Sequence, residues 1–465
     1  MTLTVLSDDQ VSSILESLTL DELEEFRHVL ASALHEFSTG SQVDGADAFQ
    51  QPHRITTQHP ETKATTLYMP SCGPEGMGCK VVSLTTSAAL QEDPSVKPIS
   101  PTGVVNLFSP GGELTGVVHA SSLTAFRTAL GSACLVSRRN HVRAITVFGS
   151  GAQAYWHVRL ALMMRGSTVR HVYIINNRFS ESAGLILKKF AVIPQAVKER
   201  EGWAHAKFSL LTPSFHEFDR LQKEYIRASD VVYCCTPSRK DLFDAHILTN
   251  TEGRKRGRLI VAVGSFTPEM RELPEALLHQ VTKHHDKQDK PHRHFHKHAE
   301  EGGVIVVDTL EGVLLEAGEI IAAKIPATHL VELGELVMLH KLRVEESEAE
   351  ASASDVASEF ERSDTADSNS AMSSVYGNQL SRPGSPASST SSNHKSTFHL
   401  PFRTKSASSS DQGEKKKKED HMVRWLRDGT VVYKSVGLGL MDLVVGTHLV
   451  NVASKKNIGT RIEGF

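Results

Sequence analysis

Apolar positions near the amino terminus recur at helical spacing. Val11, Ile14, Leu15 and Leu18 form one stripe, and Leu23, Phe26, Leu30 and Leu34 form a second beyond Leu20. Ser7 stands ahead of the first stripe as a cap, so the first 37 residues read as helical. From Arg54 to Val118 the pattern changes to short runs, such as Thr65-Thr66-Leu67-Tyr68 and Lys80-Val81-Val82-Ser83-Leu84. Gly and Pro clusters separate these runs, which predicts an antiparallel sheet. A helical stretch from Ser122 to Arg138 follows, then the apolar run Ala144-Ile145-Thr146-Val147-Phe148. Beyond it strands and helices alternate, with strands expected at Val172 to Ile175, Val231 to Cys234, Leu259 to Val263 and Val304 to Val307. Alternation of this kind predicts βαβ units and a parallel sheet. From about Val423 the chain adds the strand-like Thr430-Val431-Val432-Tyr433 and a final amphipathic helix.

Two segments fall outside this pattern. Residues 283–298 carry six histidines among lysines and aspartates. Residues 345–421 are first acidic, then Ser-rich, and end in Lys415 to Lys418. Neither has the apolar content to build a core, so both read as disordered insertions. The histidines show no regular ligand spacing, and no metal is expected. Ser385-Pro386 marks the second segment as open to phosphorylation.

Composition narrows the classes. The 465 residues exceed one compact domain. A formal charge of −3 leaves no electrostatic footprint for nucleic acid. No run of about 18 apolar residues occurs, so no membrane span is expected. No secretory signal is visible at the amino terminus. The five cysteines are odd in number and lack metal-ligand spacing, which fits a reducing, cytoplasmic setting. Cys234-Cys235 reads as small apolar filler on a buried strand.

The strongest local chemistry is Gly149-Ser150-Gly151-Ala152-Gln153-Ala154, between the strand ending at Phe148 and a helical stretch. In that context G-x-G-x-x-A reads as a dinucleotide fingerprint. Gly149 allows the tight turn, Gly151 lets the backbone approach a pyrophosphate, and Ala154 keeps the following helix close to the sheet. The helix N-terminus offers N–H donors to the phosphates, with Ala152 and Gln153 in the same turn as cofactor contacts. A structural glycine turn is the alternative. The next strand ends in Ile175-Asn176-Asn177-Arg178 and lacks the acid that bonds a ribose 2′-hydroxyl in NAD sites. Asn177 and Arg178 can instead hold a 2′-phosphate, favouring NADP(H) over NAD(H), although Arg178 also suits a solvated loop. Thr236-Pro237-Ser238 and Val263-Gly264-Ser265 follow later strands and either close over the cofactor or are plain turns.

The chain resembles the ornithine cyclodeaminase/mu-crystallin family. The matching stretches are Leu123 to Ala129, Phe148 to Ala154, Ala228-Ser229-Asp230 with Thr236-Pro237-Ser238, and Tyr433-Lys434-Ser435-Val436-Gly437-Leu438. The resemblance implies an α/β protein with a Rossmann-type doubly wound parallel sheet domain. It also implies an α+β substrate/dimerisation domain completed by the C-terminal helix, and a homodimer. The first domain would span 129–344 and 422–437, with the His-rich insertion inside it, and the second 1–128 and 438–465.

On this resemblance Lys80 takes the place of the active-site lysine, and Arg127 that of the substrate carboxylate ligand. Arg54 is placed as a second carboxylate contact, and Ser435, Gly437 and Gly264 beside the cofactor. Read without it, Lys80 is an exposed strand lysine. Two departures bear on the substrate. Leu67 and Phe266 stand where ornithine cyclodeaminases carry a Glu and an Asp, and neither can act as acid or base. His119 is the nearby titratable residue that could substitute. Mu-crystallin and related ketimine reductases also lack that Asp, favour NADPH, and place an Arg-Glu-Leu run like Arg271 to Leu273. The expected activity is therefore NAD(P)H-dependent reduction of a C=N bond in a small imino or ketimine acid, or amino-acid dehydrogenation. The alternatives are ornithine cyclodeamination, or small-ligand binding with NADPH and no catalysis.

Overall fold

In the computed structural model, which describes residues 2–40, 48–86, 89–90, 93, 95–283, 301–337 and 421–465, the β-branched runs sort into two sheets. One is built from β1 (Thr2–Leu6), β2 (Ile55–Gln58), β3 (Thr65–Gly73), β4 (Gly76–Leu84), β5 (Thr102–Phe108), β6 (Leu114–His119) and β15 (Thr460–Glu463). Their spatial order is β15-β1-β6-β5-β4-β3-β2, antiparallel except for the parallel pair β1 and β6. The other holds β7 (Ala144–Phe148), β8 (His171–Ile175), β9 (Lys207–Leu211), β10 (Val231–Cys234), β11 (Leu259–Ala262), β12 (Ile305–Val307), β13 (Leu330–Glu332) and β14 (Val431–Lys434). It is parallel throughout, in the order β13-β12-β14-β11-β10-β7-β8-β9. The reversal of direction beside β7 is the switch point of a doubly wound sheet, so the expected α/β class is observed.

The amino terminus differs from its reading as continuous helix. Thr2–Leu6 is a strand, seated between β6 and β15. Its Thr-Leu-Thr-Val-Leu run is β-prone but too short to stand out beside two helical stripes, and its partners come from far along the chain. Helices α1 (Asp8–Glu16) and α2 (Leu20–Thr39) then follow as expected, each opened by a capping box, Ser7 with Gln10 and Thr19 with Glu22.

Helices α3 (Ala120–Val136) and α4 (Ala152–Arg165) bracket β7, and α5 (Leu310–Glu316) follows β12. The last helix, α6 (Gly439–Lys455), departs from the amphipathic expectation. All residues from Gly439 to Gly446 are buried, because the helix packs on β3 to β6 and also against α2 and α3. A helix covered on several sides is apolar all round.

Strand register decides what the first sheet presents. Met69, Lys80, Val105 and Val118 lie across from one another and are all buried, on the face toward α6. Tyr68, Val81, Val104 and His119 form the neighbouring row, and side chains alternate between faces. That second face is half-exposed and largely apolar. The expected insertions at 283–298 and 345–421 lie, apart from Lys283 and His421, outside the described residues. No helix among the described residues is long and apolar enough to cross a membrane.

Candidate functional site

The carboxyl ends of β7, β10, β11 and β14 form one edge, where a doubly wound sheet receives its ligand. At the end of β7 Gly149 has φ +105°, and a Cβ there would stand 2.9 Å from the Cys235 carbonyl oxygen. Only glycine suits both constraints. Gly151 is the N-cap of α4, makes no side-chain cap, and has open space where a Cβ would stand. Ala154 is fully buried, and Gln153 Oε1 is buried without a hydrogen-bond partner among the described residues. An uncapped helix N-terminus beside open space fits a dinucleotide pyrophosphate. At the end of β8, Asn176 shapes its own loop by donating to Arg178 O (2.8 Å) and Ser180 Oγ (3.3 Å). Asn177 and Arg178 are left exposed beyond it, and Arg178 makes no ion pair among the described residues.

The ends of β10, β11 and β14 carry buried charge that the sequence reading did not assign. Glu272 is fully buried and accepts from Thr236 N and Gly264 N, each at 2.7 Å. Burial pushes its carboxyl up to about 7, against the pull of Lys434 and these N–H donors. Lys434 is likewise buried, donates to Ser265 O and Oγ, and stands 3.3 Å from Glu319. Asp308, just past β12, accepts from Ser435 Oγ (2.8 Å), Val436 N (3.0 Å) and Gly437 N (2.7 Å), fixing the loop after β14. Ser435 and Gly437 are thereby held from behind. Pro237 and Ser238 follow Thr236 on the loop after β10, where Ser238 Oγ donates to Lys240 O.

Against this edge the first sheet and its helices bring together the expected lysine and both arginines. Lys80 on β4 is only 4% exposed, against its bare reading as a solvated strand lysine. Its Nζ lies 2.7 Å from Asp442 Oδ2, while Arg127 Nε on α3 donates to Asp442 Oδ1 at 3.0 Å. Asp442 comes from α6 and is 1% exposed. Gly437, with φ +87°, leaves room for the Arg127 guanidinium, since a Cβ there would stand 2.9 Å from Nη1. Arg54 reaches the same loop by donating to Val436 O (3.1 Å) and pairs with Glu316 at the end of α5. A narrow cleft of about 40 Å³ between Arg54, Met69, Glu316 and Gly437 has room for a few waters. Burial, reinforced by the Arg127 charge, lowers Lys80 to about 8 in spite of Asp442.

His119 does not join this group. Its row of the sheet faces away from that of Lys80, and its Nδ1 pairs with Asp8 (3.2 Å). The titratable partner near Lys80 is Asp442. Leu67 lies two residues before Met69 on β3, and Phe266 follows Ser265; both are half-buried. No cluster of His, Cys, Asp or Glu among the described residues could hold a metal ion.

No family model matches the chain. It is 23% identical over 350 residues to an uncharacterized protein of Saccharomyces cerevisiae, spanning 71% of this chain and 85% of that protein. It is 26% identical over 278 residues to a Delta(1)-pyrroline-2-carboxylate reductase of Bacillus cereus, spanning 59% of this chain and 73% of the other. Among solved structures, it superposes on the Delta(1)-pyrroline-2-carboxylate reductase of Thermococcus litoralis in complex with NADH and L-proline. That match has a TM-score of 0.59 and 17% identity, over 99% of this chain and 100% of that one. A probable ornithine cyclodeaminase from Bordetella pertussis matches with a TM-score of 0.57 and 15% identity, over 98% and 99%. An archaeal alanine dehydrogenase dimer with bound NAD matches with a TM-score of 0.56 and 17% identity, over the whole of both chains.

Proposed function

We propose, for a chain that has the fold of the ornithine cyclodeaminase/mu-crystallin family, a nicotinamide-dependent reductase of the C=N bond in a small α-imino acid. The observation that carries this reading is the buried group of Lys80, Arg127 and Asp442, set against Gly437 at the ligand edge of the parallel sheet. With Arg54 the site gathers three cations, a setting suited to one substrate carboxylate. Arg127 and Arg54 hold that carboxylate, a task suited to guanidinium forks. Lys80 carries a proton within reach of the imine nitrogen, and its low pKa lets it give that proton up near neutral pH. A reduced nicotinamide, when held at this edge, would supply the hydride for the imine carbon. Residues Gly149, Gly151, Ala152 and Gln153 would hold its pyrophosphate. Thr236, Pro237, Ser238, Gly264, Ser435 and Gly437 would line the remainder of the edge.

The test is oxidation of NADPH and NADH by the purified protein with Δ1-pyrroline-2-carboxylate, the imino acid that names two of its relatives. Turnover supports the reading. Cofactor binding without turnover of any imino acid would favour a ligand-binding protein, and ammonia release from ornithine would overturn the meaning given to Leu67 and Phe266.

The preference for NADP(H) rests on the exposed Asn177 and Arg178 after β8. Losing a charge-assisted hydrogen bond to a 2′-phosphate costs about 1.5–3 kcal/mol, or roughly 10–100-fold in affinity. Arg178→Ala is therefore expected to raise the Kd for NADPH by that factor and leave NADH unchanged. Equal effects on the two cofactors would remove Arg178 from the site.

A homodimer is proposed through the half-exposed apolar face of the first sheet, where Tyr68, Val81 and Val104 lie in register. An apolar sheet face of this kind marks a contact surface. Val104→Asp should turn a dimer into a monomer in sedimentation. A wild-type monomer would count against the assembly.

A further inference from the structure

Glu272 belongs to no element of the catalytic group, yet it is among the most thoroughly engaged carboxylates in the molecule. Its Oε1 accepts from Thr236 N (2.7 Å) and Thr236 Oγ1 (3.2 Å), and its Oε2 from Gly264 N (2.7 Å) and Ser265 N (3.2 Å). One oxygen therefore serves the loop after β10 and the other the loop after β11. The two loops touch: a Cβ on Gly264 would stand 2.2 Å from the Thr236 carbonyl oxygen. The backbone adds Arg271 N to Ser238 O at 2.9 Å and Leu242 N to Glu272 O at 3.0 Å, bracketing the first loop on both sides. Behind them Ser265 Oγ donates to Glu319 at 2.7 Å and receives Lys434 Nζ at 2.6 Å, which adds the end of β14.

We propose that Glu272 is the positioning residue for the nicotinamide half of the dinucleotide site, acting by tying the loops after β10 and β11 to one buried carboxylate. The proposal rests on the dinucleotide reading given above. The geometry separates the two halves of the ligand. The glycine turn after β7 meets the pyrophosphate, the end of β8 meets the adenosine side, and the other mononucleotide half falls over β10 and β11. Glu272 touches only this last pair of strand ends. A glutamine cannot replace it, because its single carbonyl oxygen serves one loop and its NH2 then faces N–H donors of the other.

The experiment is calorimetric titration of the full chain and of Glu272→Gln with two ligands, NADPH and ADP-ribose 2′-phosphate, which lacks the nicotinamide. The wild type is expected to bind both. In the variant NADPH should weaken by about tenfold or more, while ADP-ribose 2′-phosphate binds as in the wild type. Equal losses for both ligands, or no change in either, would overturn the proposal. A wild type that binds neither NADPH nor NADH would instead bring down the dinucleotide reading. If Glu272→Gln fails to fold, Glu272→Asp keeps the charge on a side chain one carbon shorter, which cannot span both loops. It should then give a smaller loss with the same selectivity for NADPH, and its absence would again overturn the proposal.

Discussion

Lys80→Ala is expected to lower kcat/KM for imine reduction by about 10²–10⁴-fold, the usual contribution of a positioned proton donor, with NADPH binding close to wild type. The lysine lies across the sheet from Met69 and Val105, in a buried row. Asp442 keeps Arg127 as a partner when Lys80 is gone, so the variant retains a paired carboxylate and should remain folded. The pH profile gives the second reading. Lys80 is lowered by burial to about 8, so the ammonium form predominates below that pH and the neutral amine above it. Reduction needs the ammonium as donor. Its kcat/KM should therefore be flat below about 8 and fall by about tenfold per pH unit above it. Oxidation of the corresponding amino acid needs the neutral amine, so its rate should rise with pH and level off above the same value. Lys80→Arg keeps the charge but cannot release a proton in this range, and it should lose both limbs. Wild-type limbs that persist in Lys80→Ala would assign the proton to another group.

What was legible in the sequence was local. Gly149, Gly151 and Ala154 announce themselves because a strand, a tight turn and a helix start occupy one short stretch, where Gly149 takes the positive φ of the turn. Lys80, Arg54 and Arg127 were placed by resemblance, since nothing around them in the chain distinguishes them from solvated residues. Asp442 was missed because its partner Arg127 is 315 positions away and its neighbours Leu440, Met441, Leu443 and Val444 read as plain core. The signal was present: one carboxylate inside an apolar helix must be paired. Asp308 gave a comparable signal at the end of Ile305-Val306-Val307. The strand at Thr2–Leu6 was lost for the same reason, its partners β6 and β15 being remote in sequence. His119 lies off the site because the row a strand residue occupies depends on register, which the sequence of one strand does not define.

Asp442→Asn is expected to destabilise the protein by about 3–5 kcal/mol, the range for removing one partner of a buried ion pair. The loss of contact energy is the smaller part of this effect. Asparagine keeps the shape but leaves the Lys80 ammonium and the Arg127 guanidinium together in a site where they are 4% and 3% exposed. Asp442 raises the Lys80 pKa, while burial and Arg127 lower it. Without the carboxylate the lysine pKa should fall below 8, and the lysine should lose its proton near neutral pH. Two measurements then move together: the urea midpoint falls, and the limb on which reduction declines shifts to lower pH. The linkage has a definite sign, because a neutral Lys80 removes one of the two like charges. The variant should accordingly recover part of its stability as pH rises from about 6 to 8, where the unfolded chain still binds that proton and the folded one does not. A lower urea midpoint with an unmoved limb would mean that Asp442 holds α6 in place and does not govern Lys80. An unchanged midpoint would mean that the two cations need no shared counterion.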